Sequence, residues 1–268
     1  MTTTQVRAIT ASQITALSTT DVQEFTTDQV AAFTTTQLNA FSSTKFAAMT
    51  DAQIAAMTLT QIQSVSATNL SALDLTQIAA LSTDQVGGLT TTQLAGLSVT
   101  NLSGLEASQM EALSTTQVKA LTTTQIAGLD ATDIAELTNT QIGALTTTQV
   151  GALTSTNIAS LTDAQVAAMA DTQLARLSTS VIHALDTTQL GSLSTTQVQA
   201  FTTTQMAAMD ATDLDELTVG QLAALTTAQV RALTTTVIGA ISSQAFGSFD
   251  VTQIGQLTTT QIDNLTTT

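Results

Sequence analysis

The sequence predicts an all-α solenoid built from very short helices, one helix for each eight-residue repeat. Three observations support this prediction. An octapeptide recurs from residue 2 to residue 265, two of its positions are always large and apolar, and its polar positions carry the signature of a helix N-terminus. Residues 122–129, TTTQIAGL, are a representative octad.

The repeat keeps its register along the whole chain. One methionine, 33 octads at residues 2–265 and a three-residue tail account for all 268 residues. No insertion, deletion or change of composition marks a linker. We therefore expect one continuous array over residues 1–268, with no internal domain boundary.

Positions one and four of the octad predict where each helix begins. Position one is almost always Ser, Thr or Asp, the residues preferred at a helix N-cap, and position four is Gln in 23 of the 33 octads. A hydroxyl N-cap followed three residues later by Gln forms a capping box, and the apolar residues that flank it form a hydrophobic staple. In the representative octad these residues are Leu121, Thr122, Gln125 and Ile126.

The remaining positions predict which face of each helix is buried. Positions five and eight are large and apolar in all 33 octads, so they should fill a narrow interior. Position seven is Ala, Gly or Ser in 27 octads, which allows successive windings to approach closely, whereas Glu24, Glu136, Arg176 and Glu216 predict local exposure there. Position six accepts nearly any residue and therefore indicates the solvent face. We expect three or four octads in each superhelical turn.

Two other folds explain the pattern less well. In one continuous helix, eight residues advance about 800°, so the apolar positions would drift by roughly 80° per repeat and form no stripe. A β-solenoid suits the Thr, Val and Ile content. Positions five and eight have opposite parity, however, so a straight strand would place one large apolar residue on each face. The β-solenoid remains the alternative fold class.

An isolated octad is too short to hold a helix in water, so the units must stabilise one another by stacking, as in other solenoids.

Composition and charge exclude several classes of function. Twenty acidic and five basic residues give a net charge of −15, which argues against binding nucleic acid, because phosphate binding depends on Lys and Arg. No apolar run is long enough to span a membrane. The absence of Cys removes disulfides and thiolate chemistry. The N-terminus, MTTTQVRAITASQ, lacks the pattern of a cleavable signal peptide.

His183 is the only histidine and occupies the variable position six of its octad. Catalysis or metal binding would need converging partners, and Ser178 and Asp186 nearby follow from the repeat itself. We interpret His183 as an exposed surface residue.

Two octads carry clustered aspartates that could offer oxygens to Ca²⁺. Asp130 lies three residues before Asp133, and Asp210 is followed by Asp213 and Asp215. Asp at positions one and four can also replace Thr and Gln as caps, since acids are favoured at a helix N-terminus. We favour the capping interpretation.

No cluster of unlike polar residues interrupts the repeat, so we expect no enzymatic activity, no catalytic, cofactor-binding or metal-binding residues, and no cofactor. A regular array of Thr methyl and hydroxyl groups could instead form a ligand-binding or ice-binding surface, which is the alternative function. A designed or excised array is a further alternative, because neither end carries an atypical capping repeat.

The array resembles the Thr- and Ala-rich short tandem repeats, of the kind LTTTQVAALTTTQI, found in large bacterial proteins regarded as secreted or surface-exposed. The resemblance covers all 33 octads as a repeat style and transfers no functional residues. It implies an extracellular or cell-surface location and a role as a structural spacer, stalk or adhesive segment. A protein or surface partner and lateral or end-to-end self-association are compatible with such a role.

Overall fold

The computed structural model describes residues 1–265 and is helical throughout, with one helix of four to six residues in each of the 33 octads. No strand occurs within these residues. The predicted all-α solenoid is confirmed, and the alternative of a β-solenoid is wrong.

The chain divides into two compact units, Met1–Leu129 and Asp130–Thr268. The octad register runs unbroken through residues 129 and 130. The expectation of one array without an internal boundary stays a prediction.

The helices of the first unit are α1 Thr3–Arg7, α2 Ala11–Ala16, α3 Thr19–Gln23, α4 Thr27–Ala32, α5 Thr35–Asn39, α6 Ser43–Ala47, α7 Asp51–Ala55, α8 Leu59–Ser64, α9 Ala67–Ser71, α10 Leu75–Ala79, α11 Thr83–Gly87, α12 Thr91–Ala95, α13 Val99–Ser103, α14 Ala107–Glu111, α15 Thr115–Ala120 and α16 Thr123–Gly128. The helices of the second unit are α17 Ala131–Ala135, α18 Asn139–Ala144, α19 Thr147–Val150, α20 Ser155–Ala159, α21 Asp163–Ala167, α22 Asp171–Leu174, α23 Thr179–Ile182, α24 Thr187–Ser192, α25 Thr195–Gln199, α26 Thr203–Ala208, α27 Ala211–Asp215, α28 Val219–Ala224, α29 Thr227–Ala232, α30 Thr235–Ala240, α31 Ser243–Gly247, α32 Val251–Ile254 and α33 Thr259–Asp263.

The representative octad shows how one repeat starts and ends a helix. Thr122 is extended (φ −75°, ψ 157°), its hydroxyl accepts the Gln125 backbone N–H at 3.1 Å, and Gln125 Oε1 accepts the Thr122 N–H at 2.8 Å. This is the capping box. Leu129 is again extended (φ −64°, ψ 137°), so the chain turns through two extended residues. No residue among 1–265 has positive φ, which explains why Ala serves at the helix ends where Gly is common.

Each helix packs on the helix three octads away, within both units. In the first unit α12 contacts α15 and α13 contacts α16, and in the second unit α21 contacts α24 and α26 contacts α29. Three octads, or 24 residues, therefore complete one superhelical turn. This is the lower of the two values that we expected.

The interior of each unit is filled from positions five and eight, as the pattern predicts. Ile126 is 0% exposed and Leu129 is 3% exposed, and nearly all their counterparts are buried. The rings of Phe25, Phe33 and Phe41, at position eight of three successive octads, meet edge to face with centroids 5.0 and 5.5 Å apart. Position eight therefore brings successive octads together at the centre of the winding.

Position seven lies against position two of the octad three repeats earlier. A methyl group built on Gly128 would lie 2.5 Å from Val99 Cγ1, and one on Gly88 would lie 2.0 Å from Leu59 Cδ1. At these two positions glycine makes room for the large position-two side chain of the neighbouring turn, in agreement with the predicted close approach.

Only two of the four charged residues at position seven are exposed as expected. Glu24 and Arg176 are exposed, whereas Glu136 and Glu216 are half-buried.

Candidate functional site

The contacts that join successive turns lie at the corners of the winding. With three helices per turn, the start of a helix lies beside the end of the helix four octads earlier in the same unit. The capping box of each helix places its position-four Gln at this corner, and most of these side chains are buried although they are polar.

Gln125 shows the complete arrangement. Gln125 is only 3% exposed, and its Oε1 accepts the Thr122 N–H in the capping box. Its Nε2 donates to the backbone carbonyls of Leu94 at 2.8 Å and Leu97 at 2.9 Å, which are 31 and 28 residues earlier. One amide therefore caps its own helix and satisfies two carbonyls at the end of another.

The same pair of bonds recurs throughout both units. Examples in the first unit are Gln37, Gln61 and Gln93, and examples in the second are Gln173, Gln205 and Gln229. The octad pattern by itself predicts only the capping half of this role. The signal available in the sequence was that no octad has Glu at position four. Either Glu or Gln can complete a capping box, but only the Gln amide can also donate a hydrogen bond.

Position six is mostly exposed, as predicted, but it also faces the corner of the octad four repeats later. Where Ala245 replaces Gln, the Ser242 N–H loses its capping partner and donates instead to the Asp215 carboxylate, at 3.1 Å to Oδ1. Where Asn101 replaces Gln, Ser71 Oγ accepts the Ser98 N–H at 3.1 Å. Position-six side chains can therefore complete a corner that lacks Gln.

His183 takes part in another corner without Gln. Its Nδ1 lies 2.7 Å from Oδ2 of Asp213, which occupies position four of the octad four repeats later. The His183 side chain is 37% exposed, while that of Asp213 is 10% exposed. The residue is exposed as we interpreted it, but it pairs with a nearly buried carboxylate that sequence reasoning did not connect with it. The spacing of 30 residues between position six and position four was the available signal.

The residues expected near His183 have other roles. Ser178 accepts the Val181 N–H at 3.3 Å, and Asp186 accepts the Gln189 N–H at 2.8 Å, so each caps its own helix. The backbone N–H of Gln189, assisted by the Thr188 hydroxyl, holds the pKa of Asp186 below its ordinary value.

The aspartate clusters also cap helices. Asp210 Oδ1 accepts the Asp213 N–H at 3.0 Å, and Asp213 Oδ2 accepts the Asp210 N–H at 2.8 Å. Asp130 and Asp133 form the same box at 3.0 and 2.9 Å. Asp215 does not join the Asp210 and Asp213 pair, since it reaches Ser242 instead. The capping interpretation describes these residues better than three aspartates around one Ca²⁺.

Asp210 nevertheless completes a group of three with His183 and Asp213. Each residue offers one ligand atom, and these atoms lie within 4.8 Å of one another. The Asp213 N–H holds the pKa of Asp210 below its ordinary value, with smaller contributions that include the charge of His183. The expectation that the chain has no metal-binding, cofactor-binding or catalytic residue stays a prediction.

Comparison with known families agrees with this architecture. The sequence profile described as the ALTTAQ repeat matches residues 30–67, 102–139, 126–163, 166–203, 182–211 and 206–243, which together cover well over half of the chain. None of the curated proteins compared with the chain matches it. Within the part of the chain that the structure describes, no helix has the length and apolarity needed to cross a membrane.

Proposed function

The chain belongs to the ALTTAQ repeat family, and we propose that it is a non-enzymatic spacer or adhesive segment of a larger bacterial surface or secreted protein. The observation that supports this role is the corner formed by the position-four Gln. Because the same amide recurs between successive turns within each unit, a stack can lengthen by adding octads without any new kind of contact.

A spacer needs a length that follows from the number of repeats. Packed helices lie about 8–10 Å apart, so each added turn of three octads should lengthen a stack by about this distance. The acidic surface, with a net charge of −15, favours a chain that stays dispersed in water.

Distance measurements between spin labels within the first unit test the scaffold role. Gln23 and Lys119 are exposed position-six residues twelve octads apart, and the chain has no Cys, so Gln23→Cys with Lys119→Cys gives a uniquely labelled pair. Four turns separate them, which corresponds to roughly 32–40 Å. Inserting 24 residues, as three further octads, between the labels should add about 8–10 Å, and a second insertion should add the same again.

The matched control is insertion of four residues at the same point, which breaks the octad register and should broaden the distance distribution. An unchanged distance after insertion of three octads would contradict a role as an extensible spacer.

The cellular part of the proposal needs a separate measurement. Antibodies against the chain should label intact cells of the source organism or detect the protein in the culture medium, and external protease should remove the cell-bound signal. Detection only after the cells are lysed would refute a surface or secreted location.

A further inference from the structure

One corner of the second unit differs chemically from those that carry Gln. In those corners, Nε2 of the position-four amide donates to a carbonyl 28 residues earlier and to a second one 30 or 31 residues earlier. Asp213 stands at this position in its octad, and the corresponding carbonyls belong to Leu185 and Ile182. A carboxylate has no N–H to donate, so the electropositive group present at other corners is missing from the Asp213 side chain.

Three potential metal ligands meet at this corner. His183 Nδ1 lies 2.7 Å from Asp213 Oδ2, and the ligand atoms of His183, Asp210 and Asp213 all lie within 4.8 Å of one another. His183 follows α23 as its C-cap residue, whereas Asp210 and Asp213 belong to the first turn of α27, so separate parts of the winding supply the imidazole and the two carboxylates.

We propose that His183, Asp210 and Asp213 bind a divalent transition-metal cation, with Zn²⁺ as the best match. One imidazole nitrogen and two carboxylate oxygens are a suitable donor set for Zn²⁺, which accepts three protein ligands and completes its coordination with water. The cation would place an electropositive group at this corner, where the amide N–H of Gln lies at other corners.

Binding of the ion requires the three ligand atoms, which now lie within 4.8 Å of one another, to rearrange around it. Two ligands that lie about 2.1 Å from a tetrahedral zinc ion are about 3.4 Å apart, so the His183 ring must move away from Asp213 by about 0.7 Å. The His183 side chain is 37% exposed and can rotate, whereas Asp213 is held by the Asp210 N–H. Asp210 accepts the Thr212 and Asp213 N–H groups through Oδ1, so Oδ2 is the oxygen that we assign to the ion.

Zinc titration of the untagged, chelator-treated full-length chain tests the site. Isothermal titration calorimetry should show one tight Zn²⁺ ion per chain. Because His183 is the only histidine, its imidazole proton signals form a single resolved set in the NMR spectrum, and one equivalent of Zn²⁺ should shift them.

Each of three variants removes one proposed ligand and is chosen to preserve the fold. Asp213→Gln restores the residue most common at position four, Asp210→Asn keeps an oxygen that can cap the helix, and His183→Ala changes an exposed side chain. Each should weaken zinc binding by at least about tenfold. The matched control is Asp250→Asn, because Asp250 caps its helix next to Gln253 and is outside the proposed ligand set.

The control should bind Zn²⁺ as the unmodified chain does. Zinc binding that is unchanged in Asp213→Gln, equal weakening in Asp250→Asn, or imidazole signals that do not move with one equivalent of Zn²⁺ would overturn the proposal. Far-ultraviolet circular dichroism of each variant establishes that the helices are retained. The spacer role does not depend on this site, so failure of zinc binding leaves the proposed function standing.

Discussion

Replacement of Gln125 by Glu separates the two roles of the position-four amide. A Glu side chain can still accept the Thr122 N–H through Oε1, so the capping box is retained. It cannot donate to the carbonyls of Leu94 and Leu97, which Gln125 contacts at 2.8 and 2.9 Å. The substitution therefore removes the contacts between turns and leaves the helix start intact.

The size of the effect follows from these contacts. Loss of two hydrogen bonds costs about 1–3 kcal/mol of unfolding free energy, and a carboxylate that replaces the amide in a residue only 3% exposed adds a desolvation cost of about 1–3 kcal/mol. We expect Gln125→Glu to destabilise the chain by about 2–6 kcal/mol at neutral pH.

The chain supplies its own control in the first octad. Gln5 forms the same capping box, at 2.8 Å to the Thr2 N–H, but it is exposed, so Gln5→Glu keeps the box without burying a charge. We expect its effect to stay within about 0.5 kcal/mol. Urea denaturation followed by circular dichroism at 222 nm measures both variants. Equal destabilisation by the two substitutions would refute the assignment of the amide to contacts between turns.

Three further predictions concern other positions of the octad. Gly128→Ala should destabilise the chain, because the added methyl group would lie too close to the Val99 side chain. In a chain that already carries Val99→Ala, the same substitution should instead stabilise, and the urea midpoints measure both effects. Gly191→Ala, where no atom outside the neighbouring backbone of its own helix lies within 4 Å of the added group, should stabilise by up to about 1 kcal/mol in the same assay. The backbone N–H of Gln77, with the Thr76 hydroxyl, lowers the pKa of Asp74. The ionised Asp74 carboxylate therefore stabilises the fold above the ordinary carboxyl pKa, and this stabilisation is lost as pH falls through the lowered pKa. Asp74→Ser should reduce this acid sensitivity in thermal melts.

Much of the fold could be predicted because each octad encodes its local structure independently. Thr122 and Gln125 lie three residues apart, so their capping box depends on one turn of chain and on no distant contact. The apolar residues at positions five and eight likewise reveal the interior, since no solvent-facing position would keep large apolar residues in every octad.

The candidate metal site could not be predicted in the same way. His183 and Asp213 are 30 residues apart, and each taken alone is an ordinary variation of the repeat. Their meeting depends on the number of octads in one turn, which the period of eight does not specify. With four octads per turn, different pairs of residues would share each corner.

The sequence by itself determined that every octad starts a helix, which side of that helix is buried, and that no octad can stand alone. These properties depend on hydrogen bonds and apolar contacts within a few residues. Only the tertiary structure decided that three octads complete a turn, that the Gln amide joins octads four repeats apart, and that position six takes part in the corners. Those properties depend on how stacked helices fit against one another, because the second hydrogen-bonding function of Gln125 is satisfied by carbonyls 28 and 31 residues away.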